Sequence, residues 1–182
     1  MPINSQVTRN VLQLTLALLK PDLVAQPHLI QGIHDRILQN NFLFVRSKVL
    51  KLSQERAAEF YKEHTGKFFH NRLVLYMSSG PLYAHILARE DAIAEWRKLM
   101  GPTKVFRTLY EQPNTLRGLY GLTDTRNGTH GSDSAESAKK EINFFFPEFD
   151  YQMWFNDEEL ILRTGNVSYD AEKKQHYPSH VS

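Results

Sequence analysis

The stretch Leu12-Gln-Leu-Thr-Leu-Ala-Leu-Leu-Lys20, followed at once by Pro21, decides the fold class. Leucine recurs at every second position up to Leu18, the period of an extended chain whose side chains alternate between two faces, and proline bars its continuation. The segment is read as a half-buried first strand. Working outward, Leu29, Ile33, Ile37 and Leu38 recur at helical spacing before Asn40-Asn41, and alternation returns from Phe42 to Leu52 as a second strand. Strand, helix, strand is a crossover unit.

A second unit follows. Ser53 with Glu55 and Arg56 opens a helix carrying Ala57, Phe60 and Tyr61, and Leu73 to Met77 adds a short helix stopped by Ser79-Gly80-Pro81. Leu82, Ala84, Ile86 and Ala88 alternate within Pro81 to Arg89, a third strand. Ile93, Trp96, Leu99 and Met100 then form one helical stripe from Ala92 to Met100, ended by Gly101-Pro102. Gly118 to Thr123 is read as the fourth strand, and Asp133 with Glu136 as a capping box before a helix running to Phe146. The doubled unit predicts an α+β fold: a ferredoxin-like βαββαβ antiparallel sheet with helices on one face. Residues 1–10 are expected to be a flexible N-terminus, 11–155 one domain, and 156–182 a C-terminal extension. Trp154 and Phe155 are candidates to dock, and the last dozen residues read as mobile.

Composition narrows the function classes. With 182 residues, 41% of them hydrophobic, the chain can bury one ordinary core. Its net charge of +2 is spread along the chain, so nothing calls for nucleic acid. The absence of Cys excludes a thiol nucleophile, a disulfide framework and a zinc ribbon, and suits a reducing compartment. Val11 to Leu19 is far too short to span a bilayer, so no membrane partner is expected. Gly66-Lys67 lacks the rest of a phosphate-binding loop, and His64 and His70 are not in a His-Glu-x-x-His arrangement. Arg9 and the lack of any acid before Asp22 leave two readings of the first ten residues, a short mitochondrial presequence or a frayed end. A mitochondrial or cytoplasmic location follows.

The chemistry-bearing run is Asn127-Gly-Thr-His-Gly-Ser-Asp-Ser134. A histidine accepts phosphate well when one ring nitrogen is kept free of a proton by a partner holding the other. Glu141, on the inner stripe of the following helix with Ala138, Ile142 and Phe145, is the candidate partner for His130. Gly131 permits a tight backbone, Ser132 is placed to bridge loop and carboxylate, and Asp133 to cap the helix. Lys20, Arg97 and Arg117 stand at segment ends, where cationic donors can converge on phosphates.

These residues resemble the nucleoside diphosphate kinase family from about Leu12 to Glu148. Leu19-Lys-Pro-Asp22, Ser79-Gly-Pro81, Gly101-Pro-Thr103, Arg117-Gly118, Arg126-Asn127 and His130-Gly-Ser-Asp-Ser134 occur in family order. The resemblance implies a ping-pong transfer in which His130 takes the γ-phosphate of ATP and passes it to another nucleoside diphosphate, with Mg²⁺ bridging the phosphates and no direct protein ligand. It implies that Lys20 reaches the phosphates and the ribose 3'-hydroxyl, that Arg97, Thr103 and Arg117 hold the β- and γ-phosphates, and that Asn127 binds ribose hydroxyls. Tyr61 would pack beside the histidine, Glu141 would fix its ring, Phe69 would stack on the base, and Leu73 would line the same slot. Nucleoside di- and triphosphates are the expected partners.

Two departures bear on assembly. Lys104 to Leu116 is longer than the common family pattern, and the tail is extended. With Phe68-Phe69 followed by His70-Asn71-Arg72, they resemble the divergent group II, type 6 animal branch, which is associated with mitochondria. They set a monomer or hetero-assembly against a homo-hexamer, and a weakly active nucleotide-binding subunit working with a partner against an enzyme competent alone.

Overall fold

Because its side chains alternate between two apolar faces, the first strand can serve two cores at once, and it does. The structure, a computed structural model describing residues 10–179, places β1 (Gln13–Leu19) inside a four-stranded sheet, buried on both sides instead of the expected one. Leu12, Leu14, Leu16 and Leu18 enter one core, and Ala17 and Leu19 the other. Pro21 ends the strand and starts α1 (Pro21–Val24), where its missing amide costs nothing, and α2 (Pro27–Gln39) begins the same way. The chain continues through β2 (Leu43–Lys51), α3 (Gln54–Phe60), a 3₁₀ turn at Lys62–His64, α4 (His70–Met77), β3 (Pro81–Arg89) and α5 (Ala92–Met100). It then forms α6 (Val105–Glu111), α7 (Leu116–Tyr120), β4 (Thr129–Gly131), α8 (Ala135–Phe145), α9 (Tyr151–Asp157), α10 (Glu159–Arg163) and a hairpin of β5 (Val167–Asp170) and β6 (Gln175–Pro178).

Sheet order is β2-β3-β1-β4 with every neighbouring pair antiparallel, the ferredoxin-like arrangement. Both crossover helices, α2 and α5, pack on one face through Ile30, Ile33, Ile37, Trp96 and Met100. The opposite face is covered as well, by α3, α4, α8 and α9 through Ala57, Val74, Met77, Ile142, Phe145 and Trp154. Helices therefore lie on both faces, not one.

Two expectations near the site shift. Gly118 to Thr123 is not the fourth strand: the Thr115 hydroxyl accepts the Gly118 amide at 3.2 Å and starts α7 there. The fourth strand is Thr129–Gly131, the histidine-bearing run itself. Asp133 does not cap α8; Ser134 does, accepting the Ser137 amide at 3.1 Å. The longer segment after Thr103 holds a helix, α6, that its composition did not signal.

The extension is not loose. Trp154 and Leu162 join the first core, and the buried Glu159 carboxylate accepts the Leu12 amide at 2.8 Å. In the hairpin, His176 accepts the Phe44 amide on Nδ1 at 2.8 Å and lies parallel to the Phe44 ring. The segment expected to be mobile is thus docked up to Ser179, while residues 1–9 and 180–182, covered by the same expectations, lie outside the described residues. A hydrogen-bond chain reinforces the docking: His34 Nε2 meets His85 Nε2 at 3.1 Å, His85 Nδ1 meets Ser47 Oγ at 2.7 Å, and Ser47 donates to the Lys174 carbonyl at 2.6 Å. That last bond fixes the order, since a hydroxyl with its proton committed must accept from His85 Nδ1–H, which leaves His85 Nε2 to accept from His34.

Burial holds His34 and His176 down to about 4 and His85 well below the ordinary imidazole value. Unfolded histidines titrate near ~6.5, so the unfolded chain binds protons first as pH falls. Stability from these groups is present above that value and lost progressively toward pH 4. Thermal unfolding followed across this window should show a falling midpoint, with a shallower fall in His176→Gln; a flat wild-type profile would contradict it.

Candidate active site

Antiparallel pairing of β4 with β1 sets the site, opposing Leu18 to His130 and Leu19 to Thr129. The strand next to His130 therefore delivers Lys20 one residue past its own end, and the Lys20 amide donates to the Gly128 carbonyl at 2.8 Å. Gly128 takes φ +82, which side chains rarely adopt. Gly131 is needed for a different reason: a Cβ there would stand 2.4 Å from the Trp96 ring and 2.7 Å from the Met100 methyl. Trp96 presses this close because its indole N–H donates to the His130 carbonyl at 3.0 Å.

The His130 ring faces α8. Its Nε2 lies 2.7 Å from Glu141 Oε2, the pairing expected from helix phase. An ionised carboxylate only accepts, so Nε2 carries the proton and Nδ1 keeps its lone pair. Phe60 sets its ring edge-on to the imidazole at 5.2 Å, closer than Tyr61 at 6.4 Å. The Tyr61 hydroxyl is buried without a partner, and burial, with Glu141 second, raises its pKa. Ser132 does not bridge to Glu141; its Oγ accepts the Leu16 amide at 3.3 Å and ties the loop to β1.

Along the run that leads into His130 lies a group of cations. Lys20 is buried and donates to Asn127 Oδ1 at 2.7 Å. Burial first, then the Arg117 charge, brings its pKa down to about 7, with Asp22 opposing. Arg117 donates to the carbonyls of Gly101 at 2.7 Å and Thr129 at 3.2 Å, joining the end of α5 to β4, while its Nε is buried without a partner. Burial and then Arg97 lower it to about 10, so it stays charged at neutral pH. Arg97 itself is exposed on the last turn of α5 and has no ion-pair partner among the described residues. Asp133 is held below the usual carboxylate range by Ser137 and feels Arg97 more weakly.

Among the other sequence-derived residues, Thr103 is exposed in the turn before α6. Phe69 is half-buried at the start of α4, with the Lys67 ammonium 5.7 Å from its ring centroid and the His64 edge at 5.4 Å, and Leu73 is buried one turn on. Phe68, its neighbour in the chain, is 89% exposed. The pattern missed Phe60 and Trp96, whose helical phase reads as plain core, and the Asp22 to Tyr76 hydrogen bond that braces the turn after Lys20.

A family model described as Nucleoside diphosphate kinase matches residues 13–151, from β1 to the first residue of α9. The chain belongs to the nucleoside diphosphate kinase family. It is 57% identical to Nucleoside diphosphate kinase 6 of Xenopus tropicalis over 91% of this chain and 92% of that protein. Against the Homo sapiens protein of the same description, identity is 54% over 91% of this chain and 89% of that one. Among solved structures, the nucleoside diphosphate kinase of Aquifex aeolicus aligns with a TM-score of 0.71 at 38% identity, covering 74% of this chain and 95% of that one. The β5–β6 hairpin of this family member lies beyond the matched segment.

Two outcomes follow from the geometry. Gly131→Ala should cost about 1–3 kcal/mol through overpacking against Trp96, read as a lowered denaturation midpoint. An anionic ligand needs Lys20 protonated, so its affinity is full below about 7 and falls as pH rises through the free-state value. Calorimetric titration with ADP from about pH 7 to 9 should show this decline, and Lys20→Met should bind more weakly with a flatter profile.

Proposed function

We propose that this chain is a phosphotransferase that moves the γ-phosphate of ATP to nucleoside diphosphates by a ping-pong route through His130. The observation that carries the reading is the 2.7 Å contact of His130 Nε2 with Glu141, which turns Nδ1 outward as the nucleophilic nitrogen. In the first half-reaction the Nδ1 lone pair attacks the γ-phosphorus, an N–P bond forms, and the bond to the β–γ bridging oxygen breaks to release ADP. In the second, a terminal oxygen of a nucleoside diphosphate attacks the same phosphorus and the N–P bond breaks. The imidazole loses no proton in either step, because Glu141 holds Nε2–H throughout.

Such a transfer is mostly positioning and stabilisation of spread negative charge. Lys20, Arg97 and Arg117, with the Thr103 hydroxyl, supply the donors for the β- and γ-phosphates, and Asn127 those for the ribose. Phe69 and Leu73 offer an apolar slot for a base, and stacking accepts any base. No cluster of three metal-ligating side chains exists among the described residues, and the cationic donors fit phosphates that bring their own ion. Mg²⁺ carried on the nucleotide would neutralise charge between the β- and γ-phosphates. A second reading, a nucleotide-binding subunit that acts with a partner, draws on α6, where Phe106 and Tyr110 are each 75% exposed.

Incubation with γ-labelled ATP should give one acid-labile, base-stable label on His130, chased off by added GDP. His130→Ala should abolish the label, and Glu141→Gln should slow its formation by up to about 10⁴-fold, the scale for replacing a carboxylate that orients a catalytic imidazole by its amide. Equal labelling of His130→Ala would refute the mechanism. Labelling that requires a second protein, measured beside native mass, would favour the subunit reading.

A further inference from the structure

Three hydrogen bonds run in series from the segment after Thr103 to the buried lysine. The Val105 amide, first in α6, donates to Asp124 Oδ1 at 3.0 Å. The Asp124 carbonyl accepts Asn127 Nδ2 at 3.1 Å, and Asn127 Oδ1 accepts Lys20 Nζ at 2.7 Å. We propose that Asp124 is a positioning residue for phosphate binding: it fastens the start of α6 to the turn that orients the Asn127 amide, and so fixes the seat of Lys20.

Each link has a physical reason. The first amides of a helix have no partner within it, and Lys104, in the capping position of α6, offers no side-chain bond. Asp124 supplies that cap from 19 residues away in the chain, as an exposed carboxylate making a charge-assisted bond to a backbone amide. A side-chain amide has two ends of opposite character, and an ammonium can use only the oxygen. By accepting from Nδ2, the Asp124 carbonyl decides which end faces Lys20. Asn127 is 3% exposed and Lys20 4%, so no bulk water is at hand to replace a lost partner. The turn carrying Asp124 is otherwise closed through Leu122, Thr123 and Arg126, none of which touches α6 in these bonds. Beside the packing of Val105 against Gly121, the Asp124 carboxylate is thus a hydrogen-bonded tie between that turn and the longer segment, and a shift of α6 reaches Lys20 through it.

This rests on the reading that Lys20 meets substrate phosphates, and two readouts separate it from that reading. In the full chain, ADP affinity is measured by calorimetry and the Lys20 titration midpoint by NMR of lysine labelled at Cε; neither requires turnover. Asp124→Asn keeps an oxygen acceptor for the Val105 amide and should match wild type in both. Asp124→Ala removes it and should weaken ADP binding about tenfold, the scale of one hydrogen bond to a charged group, while moving the Lys20 midpoint. Val105→Pro deletes the donor instead, at a helix position that tolerates proline, and should reproduce Asp124→Ala. It also carries the test if Asp124→Ala does not fold. Wild-type ADP affinity and an unmoved Lys20 midpoint in Val105→Pro or a folded Asp124→Ala would overturn the proposal, and so would Asp124→Asn behaving like Asp124→Ala. Failure of His130 to take label, with these shifts intact, would instead count against the phosphotransfer reading alone.

Discussion

The three-residue pairing of β4 with β1 is the constraint on which the site depends. A side chain on a free loop would need its position held by many weak contacts, whereas His130 inherits the rigidity of a central strand buried on both sides. The same pairing brings Lys20 alongside, because one strand ends where the other begins. Its condition is a missing side chain at Gly131, since the indole that anchors the His130 carbonyl occupies that volume. Packing on the α5 face and chemistry on the α8 face are thus joined through a single backbone unit.

Electrostatically the site is lopsided. Burial depresses the protonation of both Lys20 and Arg117, the Arg117 charge adds to this at Lys20 and the Arg97 charge at Arg117, while Asp22 works against it at Lys20. Such an arrangement is costly for the protein alone and favourable for a polyanion, which would restore charge balance where water is scarce. Arg117 has a structural role as well, joining Gly101 to Thr129 and so holding the end of α5 against β4.

Much of this was legible in residue order. The alternation of Leu12 to Leu18 and of Leu82 to Ala88, the stripe of Ile93, Trp96 and Leu99, and the Ser53 cap each obey one local rule, and each element formed where that rule put it. Glu141 was legible because helix phase alone carries it to His130. Tertiary contacts overrode local signals elsewhere. β4 has only three residues, too few for a period, and exists because β1 offers an edge. The covering of the second face and the docking of His176 depend on residues far apart in sequence. Asp124 looked like any loop acid, since its partner amide lies 19 residues upstream.

The hairpin has a further effect at the margin of the sheet. β2 is an outer strand whose register slips between Phe44 and Arg46, and the Phe44 amide finds its partner outside the ladder. Unclaimed donors on an outer strand invite pairing with the strands of other molecules, the usual start of edge-to-edge aggregation. Here an imidazole of the same chain claims that amide, and the hairpin that carries it lies against β2. What the extension adds is therefore cover for this margin: the chain keeps its own polypeptide on a boundary where another strand would otherwise pair.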